Sequence, residues 1–386
     1  MSNNAIKLTG RIDTSNAAEW EKTIFSQLGE SDKALFDAAG LDYISSAGLR
    51  VLMKVIKKSG GGVKVINVSP DVYDIFDMTG FSELMTVEKR IREMSVEGCK
   101  IIGSGFYGTV YRTDPETIVK VYSVPDSLPK IRQEQKMAKS AFVKGVPTAI
   151  SYDVVKVGDN YGSVFELLDA QSFNDHLINE PDRFDELLKQ YVEFLKTVHS
   201  AEMDAGTIPL ARDIFFGFID YITSAGDYLT DGQAARLREL LSALPDDLHV
   251  VHGDFQMKNV MLVSGEPMLI DMETISTGQP LFDLQALYVT YVLFSEDDPN
   301  NLKNFLGIPN EWGERIWQSI LTNYFDNADE QKLSAIQSKI SLAASLRFMY
   351  LLVSTDLKNG ELGEKRIRRA QAHISELIEK VDDLFL

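Results

Sequence analysis

Several features are scarce in this 386-residue sequence, and each absence excludes a class of protein. There is one cysteine, Cys99, so no disulfide can form within the chain. This is typical of a reducing compartment, and we expect a cytoplasmic protein. No run approaches the roughly 18 apolar residues that a membrane-spanning helix needs. The first ten residues, MSNNAIKLTG, have no apolar segment of the kind found in secretory signals, so we expect none here.

Basic residues are also few in relation to acidic ones. The sequence has 39 Lys and Arg residues against 57 Asp and Glu residues, which gives a formal net charge of −18 at pH 7. Proteins that bind nucleic acids or dock on anionic lipids need a basic surface. We therefore expect neither a nucleic acid nor a membrane among the partners.

The charge is distributed unevenly along the chain. Residues 1–90 carry 11 basic and 12 acidic side chains, so nearly all of the excess acidity belongs to the rest of the sequence. A length of 386 residues fits two or three domains, and the charged, apolar-poor segment 87–98 separates the two compositions. We therefore predict a small domain over residues 1–92 and a large domain over residues 93–386.

Strand and helix patterns alternate in the first 90 residues. Short apolar runs predict strands at Ala5–Thr9, Ala34–Phe36 and Val63–Val68. Ser45–Gly48 supplies the start of a helix with apolar residues at helical spacing, and the glycine-rich Ser59–Gly62 ends it. Strands that alternate with helices predict an α/β domain built on a layered sheet.

The segment Leu41–Leu52 (LDYISSAGLRVL) resembles the signature of STAS domains, the anti-sigma-factor antagonist family. The resemblance covers about the first 90 residues and includes the order of the elements. It implies an α/β regulatory domain that can contact a protein partner. In antagonists of this family a serine at the start of the second helix is phosphorylated, and the corresponding position here is Ser46. Many antagonists have an aspartate just before this serine, whereas this sequence has Ser45.

Two interpretations of the start of this helix remain open. A phosphate on Ser46 would be stabilised by the unpaired N–H groups and the dipole of the helix. Alternatively, Ser45 or Ser46 is the N-cap of the helix and nothing more. The helix also carries a basic stripe, which is either a solvated face or a surface that docks on the acidic large domain. The stripe consists of Arg50, Lys54, Lys57 and Lys58.

A glycine-rich segment begins the large domain. Gly103, Gly105 and Gly108 form the pattern G-x-G-x-x-G, and Ser104 lies within it. In a Rossmann dinucleotide site this pattern opens a helix, whereas here Val110 and its neighbours continue as a strand. A strand, a glycine turn and a second strand form the phosphate cover of kinases. We therefore expect these five residues to bind a nucleotide.

A lysine lies in the middle of the next apolar strand. Lys120 has β-branched residues on both sides, and burying its charge there is costly unless anions accompany it. The phosphates of a nucleotide would be one such anion. Glu134, in a helix predicted over residues 130–141, would be the other, so we expect Glu134 to hold Lys120.

Residues 250–262 (VVHGDFQMKNVML) contain His252, Asp254 and Asn259 in the H-x-D-x-x-x-x-N pattern of kinase catalytic loops. The apolar run that follows ends at Asp271, whose carboxylate suits a hard cation such as Mg²⁺. Phosphoryl transfer needs charge neutralisation and alignment. We therefore expect Asp254 to accept or orient the proton of the acceptor hydroxyl, and Asn259 and Asp271 to bind Mg²⁺. His252 is expected to be structural.

The segments HGDFQMKN and IDMET resemble aminoglycoside phosphotransferases and choline-kinase-like enzymes more closely than protein kinases. The similarity spans at least residues 98–284. It implies an α+β bilobal, protein-kinase-like fold that binds ATP between a small lobe, about 97–168, and a large helical lobe, about 169–386. Glu166 and Leu168 match the hinge that receives the adenine in such kinases.

The spacing after the metal ligand favours a small acceptor. Only 12 positions separate Asp271 from Asp283, and no Ala-Pro-Glu follows, so the activation segment on which protein kinases dock peptides has no room. Glu296, Asp297 and Asp298 would form either an acidic wall suited to a cationic acceptor or a solubilising surface. Three arginines near the C terminus are expected on an exposed helix face: Arg366, Arg368 and Arg369.

Three functions remain open from the sequence. The first is ATP-dependent transfer of phosphate to a hydroxyl of a small molecule, with the STAS-like domain as a sensor or docking module. The second is a regulatory role in which the kinase-like domain phosphorylates Ser46, in its own chain or in a partner. The third is a nucleotide-binding scaffold without turnover, which the intact set of Lys120, Asp254, Asn259 and Asp271 disfavours.

Overall fold

The computed structural model describes residues 5–105, 108–326 and 328–386. The chain forms two compact units: unit 1 comprises Met1–Glu97 and Val154–Gly162, and unit 2 comprises Gly98–Asp153 and Ser163–Leu386. The predicted domain boundaries place residues 154–162 in the small lobe of the large domain. They join unit 1 because Arg92 and Glu93 pair as a parallel strand with Val155 and Lys156.

Unit 1 is an α/β domain. Its strands are β1 (Ile6–Ile12), β2 (Ala34–Ile44), β3 (Val63–Val68), β4 (Thr86–Lys89) and β5 (Arg92–Glu93). Its helices are α1 (Ala17–Leu28), α2 (Ser46–Lys58), α3 (Pro70–Met78) and α4 (Phe81–Leu84). Strands β1 to β4 form a parallel sheet in that order, in which Phe36 lies opposite both Ile6 and Val65. The buried core includes Leu8, Phe36 and Phe76.

Strand β2 is longer than the sequence pattern predicted. The apolar run indicated a strand only at Ala34–Phe36, whereas β2 continues to Ile44. The extension forms because pairing with β1 continues, through two register shifts, as far as Ile44 opposite Ile12. Strand β1 likewise begins and ends later than the predicted Ala5–Thr9.

Helix α2 begins where the sequence pattern placed it. The Ser45 side chain accepts hydrogen bonds from the N–H groups of Ala47 (3.1 Å) and Gly48 (3.5 Å), so Ser45 is the N-cap. A Cβ at Gly48 would lie 2.7 Å from the Ile44 side chain and 2.8 Å from Ile12, so glycine allows the helix to approach the sheet closely. Ser46 is exposed at the first position of the helix.

The small lobe of unit 2 has an antiparallel sheet and one long helix. Its strands are β6 (Lys100–Ser104), β7 (Gly108–Arg112) and β8 (Thr117–Tyr122), followed by helix α5 (Leu128–Val143). Strand β9 (Asp153–Val157), which belongs to unit 1 from Val154 onward, and strand β10 (Asn160–Glu166) follow α5, and β10 returns to unit 2 at Ser163. Strand β8 lies between β7 and β10, which places the centre of the sheet beside the glycine-rich hairpin.

The large lobe is mainly helical. Its first elements are β11 (Ala170–Ser172), α6 (Phe173–Asn179), α7 (Phe184–His199), α8 (Ala211–Ala225) and α9 (Asp231–Ser242). Four short strands follow: β12 (Val250–Val251), β13 (Val260–Val263), β14 (Glu266–Leu269) and β15 (Ser276–Thr277). The remaining helices are α10 (Leu281–Tyr288), α11 (Asn301–Leu306), α12 (Trp312–Tyr324), α13 (Glu330–Ser354) and α14 (Gly360–Leu377).

One apolar core runs through the large lobe, with Tyr191, Phe255, Trp317 and Phe348 among its fully buried side chains. Phe255, in the loop between β12 and β13, packs against the rings of Tyr191 and Phe194, so this loop lies directly on α7. In the ranges that the structure describes, no helix combines the length and the apolar character needed to span a membrane.

Candidate active site

A cavity of about 500 Å³ in unit 2 collects the residues predicted to bind nucleotide and metal. Hairpin β6–β7, strands β8 and β10, helix α5 and the segment around β13 and β14 all contribute to its lining. The predicted residues that line it are Gly103, Ser104, Gly105, Gly108, Val110, Lys120, Glu134, Glu166, Leu168, Asn259 and Asp271. Asp254 does not line the cavity, but its Oδ2 accepts a hydrogen bond from the lining residue Asn259 at 3.0 Å.

The glycine hairpin forms one end of this cavity. The N–H of Gly105 donates to the carbonyl of Gly108 at 2.9 Å, which closes the turn between β6 and β7. A Cβ at Gly108 would lie 2.3 Å from the carbonyl oxygen of Val121, so only glycine fits against β8 at this position. The two central residues of the motif, Phe106 and Tyr107, lie outside the described residues.

Much of the cavity lining is apolar, and it includes the predicted hinge residues Glu166 and Leu168. The N–H of Leu167 donates to the carbonyl of Glu116 at 2.7 Å, which holds the segment after β10 against the start of β8. An apolar slot beside backbone polar groups is suited to a planar base. Besides Leu167, Leu168 and Ala170, the apolar lining consists of Ile102, Val110, Ile118, Ala149, Phe165, Met261 and Ile270.

Lys120 does not pair with Glu134 as the sequence pattern predicted. Its Nζ lies 2.8 Å from Asp271 Oδ1 and 2.8 Å from Glu273 Oε1. Burial opposes the charge of Lys120, but Asp271 and the other nearby carboxylates outweigh it and raise the pKa above its usual range. Glu273, two positions after Asp271, forms the second ion pair of Lys120, and the Glu134 carboxylate accepts from the Tyr122 hydroxyl instead.

Glu134 is nevertheless close to this group. It is buried and accepts a hydrogen bond from the Tyr122 hydroxyl at 2.7 Å. Burial raises the pKa of Glu134 to about 7, although the charge of Lys120 and the bond from Tyr122 act in the opposite direction. Glu134 therefore makes its direct hydrogen bond to Tyr122 rather than to Lys120, although its charge still helps to raise the pKa of the lysine.

The predicted metal ligands Asn259 and Asp271 line the same cavity. Asp271 follows β14 with φ of 62°, a left-handed conformation that turns the chain directly after the strand. The Nδ2 of Asn259 donates to the carbonyl oxygen (2.9 Å) and Oδ2 (3.0 Å) of Asp254, which leaves the Asn259 amide oxygen as the group able to bind a cation. A carboxylate and an amide oxygen that line one cavity form a donor set that fits Mg²⁺.

The loop between β12 and β13, which contains the predicted catalytic residue Asp254, is held by groups that the sequence pattern did not reveal. The backbone N–H groups of His252 and Gly253 donate to the buried carboxylate of Asp283. Gly253 has φ of 79°, and a Cβ there would lie 2.7 Å from the Thr274 carbonyl oxygen, which explains glycine between His252 and Asp254. His252 is fully buried, as a structural histidine would be. The sequence feature that could indicate a buried role for Asp283 is its place as an acidic residue in the first turn of an otherwise apolar helix.

Asp254 is half-buried at the end of this loop. Its Oδ2 accepts from Gln256 Nε2 and from Asn259 Nδ2, each at 3.0 Å. The Arg347 side chain donates to the carbonyl of Gly253 at 2.5 Å. Gln256 and Arg347 were not identified from the sequence, since Gln256 lies in a variable position of the motif and Arg347 comes from a distant helix.

The acidic residues after α10 do not form an unpaired acidic surface, because basic residues of α14 pair with them. Asp297 has a fully buried side chain whose Oδ1 accepts from Arg369 at 2.9 Å, with Lys365 at 3.3 Å. The prediction that Arg366 lies on an exposed helix face is wrong, because it is 5% exposed and its guanidinium lies 5.0 Å from the Phe294 ring centre. Arg368 is exposed, as predicted. The basic residues of α14 thus neutralise much of this cluster.

The basic stripe of α2 also has partners of its own within unit 1. Lys54 pairs with Glu21 at 2.7 Å, and Lys58 donates to the carbonyl of Gly29. Arg50 donates to the carbonyl of Ser46 at 3.2 Å. Because these contacts occupy three of its four residues, the stripe resembles a stabilised helix surface more than an unpaired docking surface.

Two family models match the sequence. The model described as the phosphotransferase enzyme family matches residues 98–316, which is more than half of the chain. The chain belongs to the phosphotransferase enzyme family. The STAS domain model matches residues 2–94. Both resemblances stated from the sequence are therefore confirmed, and so is the fold class of an α/β STAS domain followed by an α+β protein-kinase-like domain.

Individual relatives agree with these assignments. A Bordetella bronchiseptica protein named as an anti-sigma factor antagonist, BtrV, is 31% identical over 84 residues, which are 21% of this chain and 72% of that protein. The aminoglycoside phosphotransferase APH(2'')-Ib, crystallised with ADP, is 16% identical with a TM-score of 0.50, covering 79% of this chain and 98% of the other.

A thermostable mutant of the aminoglycoside phosphotransferase APH(4)-Ia is 13% identical to this member of the phosphotransferase enzyme family, also with a TM-score of 0.50. The match covers 73% of this chain and 94% of the other chain. At these identities the likeness shows the fold.

Proposed function

We propose that this phosphotransferase transfers the γ-phosphate of ATP, with Mg²⁺, to a hydroxyl group of a small molecule. One observation carries the proposal: a single cavity is lined by the glycine hairpin, by Lys120 and by the oxygen donors Asn259 and Asp271. Asp254 is hydrogen-bonded to Asn259 at the same place. This combination supports a nucleoside triphosphate as the ligand of the cavity more than any ligand without phosphates.

Each group has a role in such a transfer. The backbone N–H groups of the glycine hairpin would cover the phosphates, and Lys120 would neutralise their oxygens. Asn259 and Asp271 would hold Mg²⁺, which would supply further charge neutralisation on the phosphate oxygens. Asp254 would orient the acceptor hydroxyl and receive its proton. Glu166 and Leu168 would contact the base beside the apolar lining.

The short connection after the metal ligand supports a small acceptor. Between Asp271 and Asp283 the chain forms a 3₁₀ turn at Met272–Thr274, the two-residue strand β15 and the start of α10. These elements leave no extended segment for a peptide to pair with. The charge argument for a cationic acceptor is weaker than the sequence suggested, because Arg369 and Lys365 pair with Asp297. We therefore propose hydroxyl-bearing small molecules as the acceptor class.

An acceptor screen on the full-length protein tests this proposal. Phosphate transfer from labelled ATP with Mg²⁺ would be measured on amino sugars, choline-like amines and neutral polyols. We expect transfer to members of one class, and a loss of about 10²-fold or more in Asp254→Asn, which removes the base but keeps the shape. Asp185→Asn, an exposed carboxylate on α7, serves as the matched control. Undiminished turnover in Asp254→Asn would refute the proposal.

A second candidate function concerns the STAS domain, which we propose acts as a regulatory module for a protein partner. Ser45 is the N-cap of α2, so capping does not account for Ser46, whose side chain is exposed on the first turn. This supports Ser46 as a phosphorylation site, either of this enzyme or of a partner kinase.

Mass spectrometry of the full-length protein after incubation with ATP and Mg²⁺ tests the enzyme as its own kinase. We expect one added phosphate on Ser46 in the wild type, and none in Ser46→Ala or in Asp254→Asn. Ser45→Ala should still be modified, because its neighbour keeps the acceptor hydroxyl. An enzyme that is active on small molecules but leaves Ser46 unmodified would contradict phosphorylation by the chain itself.

A further inference from the structure

Glu273 makes two ion pairs that were not expected from the sequence. Its side chain is 5% exposed, and its two oxygens accept from two different ammonium groups. Oε1 lies 2.8 Å from Lys120 Nζ, and Oε2 lies 2.7 Å from Lys130 Nζ. Because charge-assisted hydrogen bonds in a buried place are strong and directional, this carboxylate is fixed on both sides.

We propose that Glu273 is a positioning residue that holds Lys120 toward the phosphates of the nucleotide, in the place where the sequence pattern put Glu134. The Glu134 carboxylate is engaged instead by the Tyr122 hydroxyl at 2.7 Å. Among the contacts of the described residues, the ion pairs of Lys120 go to Asp271 and Glu273.

The two partners of Lys120 are not equivalent in a loaded enzyme. Asp271 is the carboxylate expected to bind Mg²⁺, so its oxygens would be shared with the metal once the nucleotide binds. Glu273 lies two residues further along the 3₁₀ turn and keeps the ammonium when Asp271 turns to the metal. The inference therefore rests on the proposed function, because it supposes a metal–nucleotide complex in this cavity.

Lys130 gives Glu273 its second anchor. It lies in the first turn of α5, and half of its side chain is exposed. By pairing with Oε2 it orients the carboxylate so that Oε1 faces Lys120. This ion pair connects the 3₁₀ turn after Asp271 to the first turn of α5. Its loss should make the position of Lys120 less well defined while leaving the Glu273 carboxylate in place.

The alternative role for Glu273 is that it binds a metal ion instead of positioning Lys120. Oxygens of Glu134, Asp271 and Glu273 lie within 4.8 Å of one another, a spacing that can hold a cation. The ammonium of Lys120 already contacts two of these three carboxylates. The geometry therefore favours Lys120 itself as the cation of this group.

The test is a double-mutant cycle on nucleotide binding by the full-length protein. The dissociation constant of a non-hydrolysable ATP analogue would be measured by calorimetry, with and without Mg²⁺. The variants are Glu273→Gln, Lys120→Met, the combination of both, and Glu134→Gln as the matched buried carboxylate. We expect Glu273→Gln to weaken binding about tenfold or more, and Glu134→Gln to weaken it much less.

If Glu273 acts through Lys120, the double variant binds within about twofold of Lys120→Met alone. Additive losses would show a merely structural role and overturn the inference. So would an altered Mg²⁺ requirement in Glu273→Gln with unchanged metal-free affinity, which would identify a metal ligand. A wild type that binds no nucleotide would refute the proposed function itself, whereas nucleotide binding that is indifferent to Glu273 refutes only this inference.

Circular dichroism and thermal unfolding would show that each variant folds. Should Glu273→Gln fail to fold, Lys130→Met carries the test, since this side chain is half exposed and its loss leaves Glu273 in place. We expect Lys130→Met to weaken binding of the analogue by about twofold to fivefold. Unchanged binding in that variant would overturn the role given to the second anchor and to the positioning of Lys120.

Discussion

The carboxylate of Asp283 accepts hydrogen bonds from the backbone N–H groups of both His252 and Gly253, at 2.8 and 2.5 Å. His199 Nε2 lies 3.0 Å from the same carboxylate. Burial opposes the charge of Asp283, but the hydrogen bond from His199 and the electrostatic interactions with His199 and His252 hold its pKa below the usual range. Helix α10 therefore fixes the loop that presents Asp254.

Substituting Asp283→Asn should destabilise the protein and slow the enzyme. The change removes a buried charge that three neighbours are arranged to receive, which typically costs about 3 kcal/mol or more. Because the pKa of Asp283 is depressed below its unfolded value of 3.8, its contribution is present above that value and is lost as the pH falls through the folded pKa. Urea unfolding at pH 7 measures the loss, and the exposed Asp185→Asn should change the midpoint by little.

Gly253→Ala should disrupt the same loop for a steric reason. Its φ of 79° disfavours a side chain, and an added Cβ would lie 2.7 Å from the Thr274 carbonyl oxygen, which is backbone and cannot move away easily. Gly145 is a matched control with φ of 94°, where a Cβ meets nothing within 4 Å. We expect Gly145→Ala to cost about 1 kcal/mol and Gly253→Ala clearly more. Equal unfolding midpoints for the two variants would contradict the steric explanation.

Residues in local motifs could be predicted from the sequence, because each motif dictates its own geometry. Gly108 lies in a glycine turn, and Lys120 in an apolar strand that the residue pattern identifies. The ion pair between Lys120 and Glu273 joins positions 153 residues apart, so it depends on how two elements pack. Periodicity alone could not show that Arg366 faces Phe294 rather than solvent, since helix charge patterns look alike on paired and solvated faces.

The carboxyl of Glu134 should make stability depend on pH near neutrality. Its pKa is raised from 4.5 to about 7 in the folded protein, because burial penalises the charged form. The folded state therefore binds the proton more tightly, and stability falls as the pH rises from about 4.5 to about 7. The fall is on the order of 3 kcal/mol. Glu134→Gln should flatten this part of the stability curve, as followed by urea unfolding at several pH values.

The two serines at the start of α2 should differ in their effect on stability. The Ser45 hydroxyl caps the helix by accepting from Ala47 and Gly48, so Ser45→Ala should cost about 1 kcal/mol. Ser46 makes no cap and is exposed, so Ser46→Ala should leave the unfolding of unit 1 almost unchanged. Hydrogen exchange of the α2 amides would report the difference. A larger loss in Ser46→Ala would mean that Ser46 has a structural role.

Two arginines on helix α14 differ in burial: Arg366 belongs to a buried ionic cluster, and Arg368 lies on the solvated face. Arg366 is 5% exposed, and its guanidinium lies over the Phe294 ring, beside Asp298 at 3.9 Å. Burial lowers the pKa of Arg366, although Asp298 and Asp297 act against that shift. Its removal would leave these carboxylates less compensated and a space against the ring. We expect Arg366→Ala to destabilise by about 2–4 kcal/mol.

Arg368 provides the control, since its exposed side chain pairs only loosely with Glu364, at 3.5 Å. Arg368→Ala should change the free energy of unfolding by less than about 0.5 kcal/mol. Thermal unfolding of both variants, together with activity on the identified acceptor, distinguishes two roles for the cluster. If it is structural, Arg366→Ala lowers the unfolding temperature while the ratio of activities on cationic and neutral acceptors stays constant. A changed ratio in a variant of unaltered stability would instead place the cluster at the acceptor site.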